Sequence, residues 1–305
     1  MKRSYKNIVL VLAVFVILIT GIVALVINLK SRENKHYTVV ASNFASYDFA
    51  RAVTGDATEV KMLLKPGAEA HDFEPTPEDI IDIKNADLFV YVGGESEEWV
   101  EKILESNNIS PDKTLKLMDE VDLIEEEGEM EYDEHIWTSP KNATILVQKI
   151  ANKLTKINPQ KTDKYTDNAN RYIERLNRID EGFRNIVSKA DKDELIFGDR
   201  FPFLYFIREY GLKYAAAFPG CSEQTEADAA TIARLIDRAK ATNAKVILKI
   251  ELTSDKIAKT IAEATGATVM EFSAVHNVSK GDFENGVTYA DLMERNIKVL
   301  EEALK

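Results

Sequence analysis

The strongest constraint on the fold is one long apolar stripe in the middle of the chain. Between residues 160 and 189, apolar side chains recur every three or four positions, at Tyr165, Ala169, Tyr172, Leu176, Ile179, Phe183 and Ile186. That spacing predicts a single helix of about 30 residues, roughly 45 Å long at the usual rise. Gly182 is the only glycine or proline that interrupts it. A helix of this length is more typical of a rigid spine than of a crossover between strands.

On both sides of this helix, short β-branched strands alternate with amphipathic helical segments. The predicted strands cover residues 37–43, 58–64 and 86–93 before the helix, and 194–199, 212–218, 244–251 and 267–273 after it. Such alternation favours parallel sheets with crossover helices. The sequence therefore predicts an α/β protein of two lobes, each a parallel β-sheet flanked by helices: residues 37–158, a linking backbone helix at 159–190, and residues 191–305.

The amino terminus carries a predicted membrane helix. Residues 8–29 contain no charge and would span roughly 33 Å as a helix, enough to cross a bilayer. Lys2, Arg3 and Lys6 precede this run, which places the amino terminus in the cytoplasm. Residues 1–36 are thus predicted to be an anchor and tether that hold the binding domain outside the cell membrane. A cleaved signal peptide is the alternative, although the apolar run is longer than the ~7–15 residues typical of one.

Net charge and cysteine content limit the kinds of ligand and of cross-link that the chain can have. A formal net charge of −12 argues against a nucleic-acid partner and suits a cation or a basic surface. Cys221 is the only cysteine, so no intramolecular disulfide can form. It is either a small buried residue or a metal-binding thiolate.

Metal-ligand residue types follow the predicted strand ends. Open parallel sheets bind ligands at the carboxyl ends of their strands. Six donor residues lie there or in neighbouring loops: His71, His135, Asp199, Cys221, Glu251 and His276. Imidazole, thiolate and carboxylate are the usual zinc ligands, so their joint placement predicts a metal between the lobes. Taken singly, a loop histidine is commonly a surface residue, and Asp199 or Glu251 could cap a helix or pair with a base.

An acidic run lies next to one of these histidines. Residues 122–134 carry eight carboxylates and include no Lys or Arg. The run is either a solvated loop or a region that concentrates divalent cations beside His135, an effect that salt should screen.

Three motifs resemble the extracytoplasmic solute-binding proteins of zinc and manganese ABC transporters. Residues 71–77, HDFEPTP, match the first-ligand motif of that family, and residues 134–140, EHIWTSP, resemble its D-P-H-x-W-x-x-P motif. Tyr289, Met293 and Asn296 resemble its closing Y-x-x-x-M-x-x-N helix. The resemblance extends over nearly all of residues 37–305 and implies two lobes on a rigid helix.

Two ligand positions depart from the family pattern. The third family ligand aligns with Arg200, which cannot bind a cation, and the fourth falls in residues 272–275, FSAV, where serine is a poor substitute. One hypothesis relocates these donors to Cys221 and His276, giving a set of His71, His135, Cys221 and His276 that favours Zn²⁺. The rival hypothesis combines Asp199 and Glu251 with His71 and His135, a harder set that would accept Mn²⁺. A degenerate site is the third possibility.

The resemblance implies a monomeric, non-enzymatic protein that captures Zn²⁺ between its lobes and delivers it to an ABC transporter permease. A manganese-binding member of the family, a surface adhesin or metal-storage protein, and a zinc hydrolase are the alternatives. The hydrolase is disfavoured because the sequence has no H-E-x-x-H motif and no nucleophile elbow.

Overall fold

The computed structural model describes residues 37–69, 73–125, 132–220 and 226–305. The first lobe contains strands β1 (Thr38–Ala41), β2 (Glu59–Met62), β3 (Leu88–Tyr91) and β4 (Thr114–Lys116). Its helices are α1 (Phe44–Thr54), α2 (Pro77–Asn85), α3 (Glu98–Ser106) and α4 (Pro140–Ile157). Helix α5 (Thr162–Val187) follows and is the predicted spine.

The second lobe repeats the pattern. Its strands are β5 (Glu194–Phe201), β6 (Lys213–Pro219), β7 (Val246–Lys249) and β8 (Thr268–Glu271). Its helices are α6 (Leu204–Tyr210), α7 (Ala229–Ala241), α8 (Lys256–Thr265), α9 (Lys280–Glu284) and α10 (Tyr289–Ala303). Short 3₁₀ turns occupy Gly55–Ala57, Glu95–Glu97, Pro111–Lys113, Leu117–Glu120, Ile136–Thr138 and Pro159–Lys161.

Both sheets are parallel and share one strand order. The first runs β2-β1-β3-β4 and the second β6-β5-β7-β8, so each has its reversal of strand order between its first and third strands. Ligands of open parallel sheets bind outside the strand ends at such a reversal. At the reversal in the first sheet, Ser42 and Asn43 follow the end of β1. At the reversal in the second sheet, residues 250–253 follow the end of β7.

Each sheet is buried on both faces, as expected for parallel strands covered by helices. In β1, Val39 belongs to the core cluster that runs through both lobes, whereas its neighbour Val40 belongs to a second cluster on the outer face. In the second lobe, Phe197 and Leu248 face the shared core, and Ile196 and Ile247 face a third cluster beneath α7 and α8. Gly198 allows this packing, because a Cβ there would lie 2.4 Å from Ala258 Cα.

The spine helix holds the lobes through buried contacts. The predicted stripe is confirmed at its centre, where Tyr165, Leu176, Ile179 and Phe183 are completely or almost completely buried. On α1, the buried Asp48 accepts a hydrogen bond from the Tyr172 hydroxyl of α5 at 2.5 Å, and one from the Tyr289 backbone N–H of α10 at 2.9 Å. One carboxylate therefore ties together a helix of the first lobe, the spine and the last helix.

The predicted two-lobed α/β fold is present. Within the described ranges 37–69, 73–125, 132–220 and 226–305, no helix is both long enough and apolar enough to cross a membrane. The predicted membrane helix falls in residues 1–36, outside the described part of the chain.

Candidate metal centre

His135 is held rigidly at the end of the acidic run. It is fully buried and precedes the 3₁₀ turn Ile136–Thr138. The buried Asp133 carboxylate accepts the His135 backbone N–H at 2.9 Å and lies 3.2 Å from the ring Nδ1. A carboxylate at Nδ1 fixes the tautomer and orientation of an imidazole and raises its basicity as a ligand. This arrangement leaves Nε2 as the ring nitrogen suited to a cation.

The base of the acidic run is pinned next to this histidine. Glu125 and Tyr132 form an antiparallel bridge, and the Asp133 backbone N–H donates to the Ile124 carbonyl at 2.9 Å. The Tyr205 hydroxyl of the second lobe donates to the Asp133 carbonyl at 2.8 Å and accepts the Ile124 N–H at 3.1 Å. The six residues 126–131 between these contacts lie outside the described part of the chain.

His276 is oriented by a carboxylate in the same way. Glu251, just beyond β7, accepts the backbone N–H groups of Ala274 at 2.6 Å and His276 at 2.8 Å, and lies 3.4 Å from the His276 Nδ1. The intervening Val275 has φ +60°, a left-handed conformation that is strained for a β-branched residue. This turn directs the Ala274 and His276 backbone N–H groups toward the Glu251 carboxylate. Glu251 therefore both compensates the backbone strain and orients the His276 ring.

Contacts with its surroundings set the ionisation of Glu251. Burial alone would raise the pKa of this carboxyl, but the hydrogen bond and charge of His276 and the backbone N–H groups hold its pKa below the usual value. Glu251 is therefore a carboxylate across the range in which imidazoles bind metals, and it acts on the His276 ring as an acceptor.

The two histidines meet although they come from different lobes. Their ring centroids are 4.8 Å apart, with the planes at 80°. Trp137 contacts both rings edge-on, and its indole Nε1 donates to the Ala274 carbonyl at 2.7 Å. The His135 and His276 loops are thus joined by an aromatic cluster and a buried hydrogen bond.

His71 and Cys221 lie in residues 70–72 and 221–225, outside the described part of the chain. Their neighbours are held against the histidine pair. Gly220 lies next to the His135 ring, since a Cβ added at this glycine would be 3.2 Å from Cε1. Ahead of His71, the Asn277 amide donates to the Lys65 and Ala68 carbonyls at 2.8 Å each. The chain therefore enters both segments beside the two histidines.

The residue after the first segment is also close. Phe73 packs on Trp99 and, together with Glu97, Glu134, Trp137 and His276, lines a small cavity of about 20 Å³. A cavity of that volume has room for about one water molecule and none for an organic solute.

The Asp199 and Glu251 carboxylates of the rival ligand set are engaged in contacts with the protein backbone. Asp199 accepts the backbone N–H groups of Arg200 at 2.8 Å and Ile250 at 3.1 Å, and is bonded by the Thr253 hydroxyl. Glu251 is engaged with the 274–276 turn. These contacts favour orienting roles for both carboxylates.

Over residues 37–69, 73–125, 132–220 and 226–305, no group of three or more His, Cys, Asp or Glu side chains is arranged to hold a metal. A four-ligand cage around the histidine pair would therefore need donors from outside those ranges. Two groups that orient these imidazoles, the Asp133 and Glu251 carboxylates, were not predicted in that role from the sequence. The signal for Asp133 was its place two residues before a candidate ligand, whereas nothing in the sequence links Glu251 to the 274–276 turn.

Comparisons with known proteins give a consistent result. A family model described as "ZnuA: Zinc-uptake complex component A periplasmic" matches residues 39–303. The high-affinity zinc uptake system protein ZnuA of Bacillus subtilis (strain 168) is 33% identical over 279 residues, which cover 87% of each chain. The zinc-binding lipoprotein AdcA of Streptococcus pneumoniae is 30% identical over 288 residues, covering 90% of this chain but 57% of AdcA, so this chain spans little more than half of that relative.

Among solved structures, the Zn(II)-bound ZnuA-like domain of Streptococcus pneumoniae AdcA superimposes with a TM-score of 0.77 at 29% identity. The match covers 88% of this chain and 99% of that domain.

Proposed function

This chain belongs to the ZnuA family of periplasmic zinc-uptake components, and we propose that it captures Zn²⁺ outside the cytoplasm and delivers it to an ABC transporter permease. The observation that carries the proposal is the His135–His276 pair. Two imidazoles from different lobes lie 4.8 Å apart, each with a carboxylate at its Nδ1. Paired histidines with orienting carboxylates are a common way of presenting nitrogen to zinc.

For the donor set we propose His71, His135, Cys221 and His276. Three imidazoles and one thiolate satisfy the tetrahedral preference of zinc. In support, Gly220 lies against His135 and the Ala68 carbonyl is bonded to the neighbour of His276. The manganese alternative, with Asp199 and Glu251 as ligands, would require both carboxylates to exchange backbone contacts for the metal.

The function involves binding and transfer, without catalysis. The relatives carry the names of zinc-uptake and zinc-binding proteins. Because imidazole and thiolate must lose a proton to bind metal, zinc affinity should fall as pH drops through the histidine range. Acidification would therefore weaken Zn²⁺ binding even without the permease.

We further propose that residues 1–36 anchor the protein to the cell membrane with residues 37–305 on the extracytoplasmic side. The uncharged run of residues 8–29 after three basic residues supports this arrangement. In the same proposal, residues 37–158 and 191–305 form the two lobes and residues 159–190 the link, and the protein acts as a monomer beside its permease.

Metal titration of the protein, followed by elemental analysis after gel filtration, tests the function. We expect one tightly held Zn²⁺ per chain, displaced only by a strong chelator. Several weakly held ions would instead indicate storage through the acidic run, and turnover of esters or peptides by the zinc-loaded protein would indicate a hydrolase.

A further inference from the structure

The last helix, α10, reaches both histidine-bearing loops with side chains of one face. Tyr289 and Asn296 are seven residues apart, about two turns of helix, so their side chains lie on the same side of α10. Both residues are buried, with 0% and 1% of their surface exposed. The helix therefore presents two polar groups, one above the other, to the interior of the protein.

Tyr289 is bonded to the His135 loop. Its hydroxyl donates to the Trp137 carbonyl at 2.6 Å, and Trp137 lies two residues after His135 in the 3₁₀ turn that the histidine precedes. Burial raises the pKa of the Tyr289 hydroxyl above its ordinary value, so the group stays a neutral donor. This bond attaches a helix of the second lobe to a loop of the first.

Asn296 is bonded to the chain that leads to His276. Its amide oxygen accepts the Ser273 backbone N–H at 2.8 Å, and its amide nitrogen donates to the Ser273 carbonyl at 2.7 Å. A carboxamide carries an acceptor and a donor side by side, so it satisfies both backbone groups of one residue. Ser273 comes two residues after the end of β8 and three before His276. Asn296 thus fixes the start of the His276 turn.

These contacts complete a closed circuit of hydrogen bonds, which we call the α10 circuit. Its members, in order, are Tyr289, Trp137, Ala274, Ser273 and Asn296. The circuit closes through α10 at one end and through the peptide bond between residues 273 and 274 at the other. Each histidine is two residues from a member: His135 from Trp137, and His276 from Ala274. The distance between the imidazoles therefore depends on these bonds.

Helix α10 is itself fixed to the first lobe and to the spine. The buried Asp48 carboxylate of α1 accepts the Tyr289 backbone N–H at 2.9 Å. On the exposed face of α10, Arg175 of the spine pairs with Asp291 at 2.6 Å and with Glu294 at 2.8 Å. The helix is thus a rigid support from which the two loops are held.

We propose that Tyr289 and Asn296 are positioning residues: through the α10 circuit they hold the His135 and His276 imidazoles at their 4.8 Å separation before an ion binds. The inference rests on the proposed zinc-binding function. Because the two loops are held in advance, the ion does not have to order them, and the free energy of that ordering is not subtracted from its affinity. Loss of either residue thus acts on zinc binding by way of the histidines.

Tyr289→Phe tests the proposal, because it removes the hydroxyl and leaves the aromatic group. Zinc affinity, measured by competition against a chelator, should fall at least tenfold. In the apo protein, the imidazole ¹⁵N resonances of His135 and His276 should both shift. A loss of stability alone would not move those resonances.

Tyr165→Phe is the matched control. Tyr165 is also completely buried, and its hydroxyl lies 2.8 Å from that of Thr58. Thr58 precedes β2, at the sheet edge opposite the strand ends. Urea unfolding should show destabilisation in both tyrosine variants, whereas Tyr165→Phe should keep zinc affinity within twofold of wild type and leave the imidazole resonances unmoved.

Asn296→Ala opens the same circuit at its other end and should weaken zinc binding by a similar factor. The double variant with Tyr289→Phe should bind zinc no more than about threefold more weakly than the weaker single variant, because a circuit opened once is already open. Contributions from two independent residues would multiply instead.

Unchanged zinc affinity or unmoved imidazole resonances in Tyr289→Phe, an equal affinity loss in Tyr165→Phe, or losses that multiply in the double variant would each overturn the proposal. If Tyr289→Phe does not fold, Asn296→Ala decides: weakened binding with shifted resonances supports the proposal, and wild-type behaviour overturns it. Failure of the wild-type protein to bind zinc would overturn the proposed function, and the apo resonances would still test the positioning of the two imidazoles.

Discussion

The imidazole rings of His135 and His276 lie 4.8 Å apart and nearly perpendicular, one carried by each lobe. Their separation depends on two loops that different carboxylates shape, Asp133 for one and Glu251 for the other. The buried bond from Trp137 to Ala274 then fixes one loop against the other. These three contacts make the pair a preorganised feature of the fold.

Glu251→Gln should weaken zinc binding by about 10–100-fold, the usual effect of removing a group that orients a metal ligand. The amide keeps one oxygen and replaces the other with an NH₂ group, which cannot accept a hydrogen bond, so it satisfies only part of the contacts to the Ala274 N–H, the His276 N–H and the His276 ring. Competition titration against a chelator of known affinity measures the loss.

The matched control for that variant is Glu271→Gln. Glu271 ends β8, is about half exposed and pairs with Lys249 at 3.5 Å. Its replacement should leave zinc affinity within twofold of wild type. Equal losses in the two variants would mean that general charge, and not the orientation of His276, governs binding.

Trp137→Phe should destabilise the apo protein by about 1–3 kcal/mol, because the buried Ala274 carbonyl loses its donor. Zinc binding should weaken as well, since the two histidine loops lose the bond between them. Urea unfolding gives the free energy and titration gives the affinity.

Trp99→Phe provides the comparison for Trp137. In the described part of the chain the Trp99 indole nitrogen bonds to no group, so this variant loses no hydrogen bond. Similar destabilisation by both replacements would show that aromatic packing, and not the Trp137–Ala274 bond, supplies the stability.

Cys221→Ser separates the two ligand hypotheses. With a thiolate ligand, zinc affinity should fall at least tenfold, and the thiolate charge-transfer absorption of the cobalt-substituted protein should vanish. Ser222→Ala controls for general disturbance of the segment. Unchanged zinc affinity in Cys221→Ser would rule out the thiolate set and favour the set with Asp199 and Glu251.

Periodicity predicted most of the fold. The stripe from Tyr165 to Ile186 gave the spine, observed as Thr162–Val187, and all seven predicted strands are present within a few residues. Strand β4, Thr114–Lys116, was missed because three residues with one buried side chain carry no period. Strand β5 extends two residues past its predicted end, through an irregularity in its pairing with β6 that brings Arg200 into the strand.

The site was less predictable. His276 could be assigned to the strand-end edge because it follows the predicted strand at 267–273 and parallel strands end together, whereas His135 was predicted there only as a loop residue ahead of a helix. The contacts of Arg200 with Glu69 and of Glu251 with the 274–276 turn could not be predicted from the sequence, since each contact depends on how a distant loop lies against a strand end. Glu69 is far from Arg200 in sequence, and the turn at Val275 has a conformation that a valine rarely adopts.

Glu97→Gln should remove a pH-dependent loss of stability. Burial raises the pKa of Glu97 to about 7, and the charge of Glu134 adds to this, against the hydrogen bond donated by the Gly93 backbone N–H. Its ordinary pKa is near 4.5, so between pH 4.5 and 7 the folded state binds the proton more tightly than the unfolded state. Wild-type stability should therefore fall as pH rises through this window, by up to about 1.4 kcal/mol per pH unit from this group.

Urea unfolding at pH 5, 6, 7 and 8 measures the effect. The variant should match wild type near pH 5 and exceed it at pH 8, because glutamine stays neutral while accepting the Gly93 N–H. Parallel pH profiles for the two proteins would contradict the assignment of a buried, proton-binding carboxyl to Glu97.

An anomalous-scattering crystal structure of the zinc-loaded protein, recorded at the zinc edge, tests the central claim most directly. We predict one peak within about 2.0–2.1 Å of Nε2 of both His135 and His276, with His71 and Cys221 completing a tetrahedron. A peak bonded to only one of the two histidines, or located away from both, would contradict it.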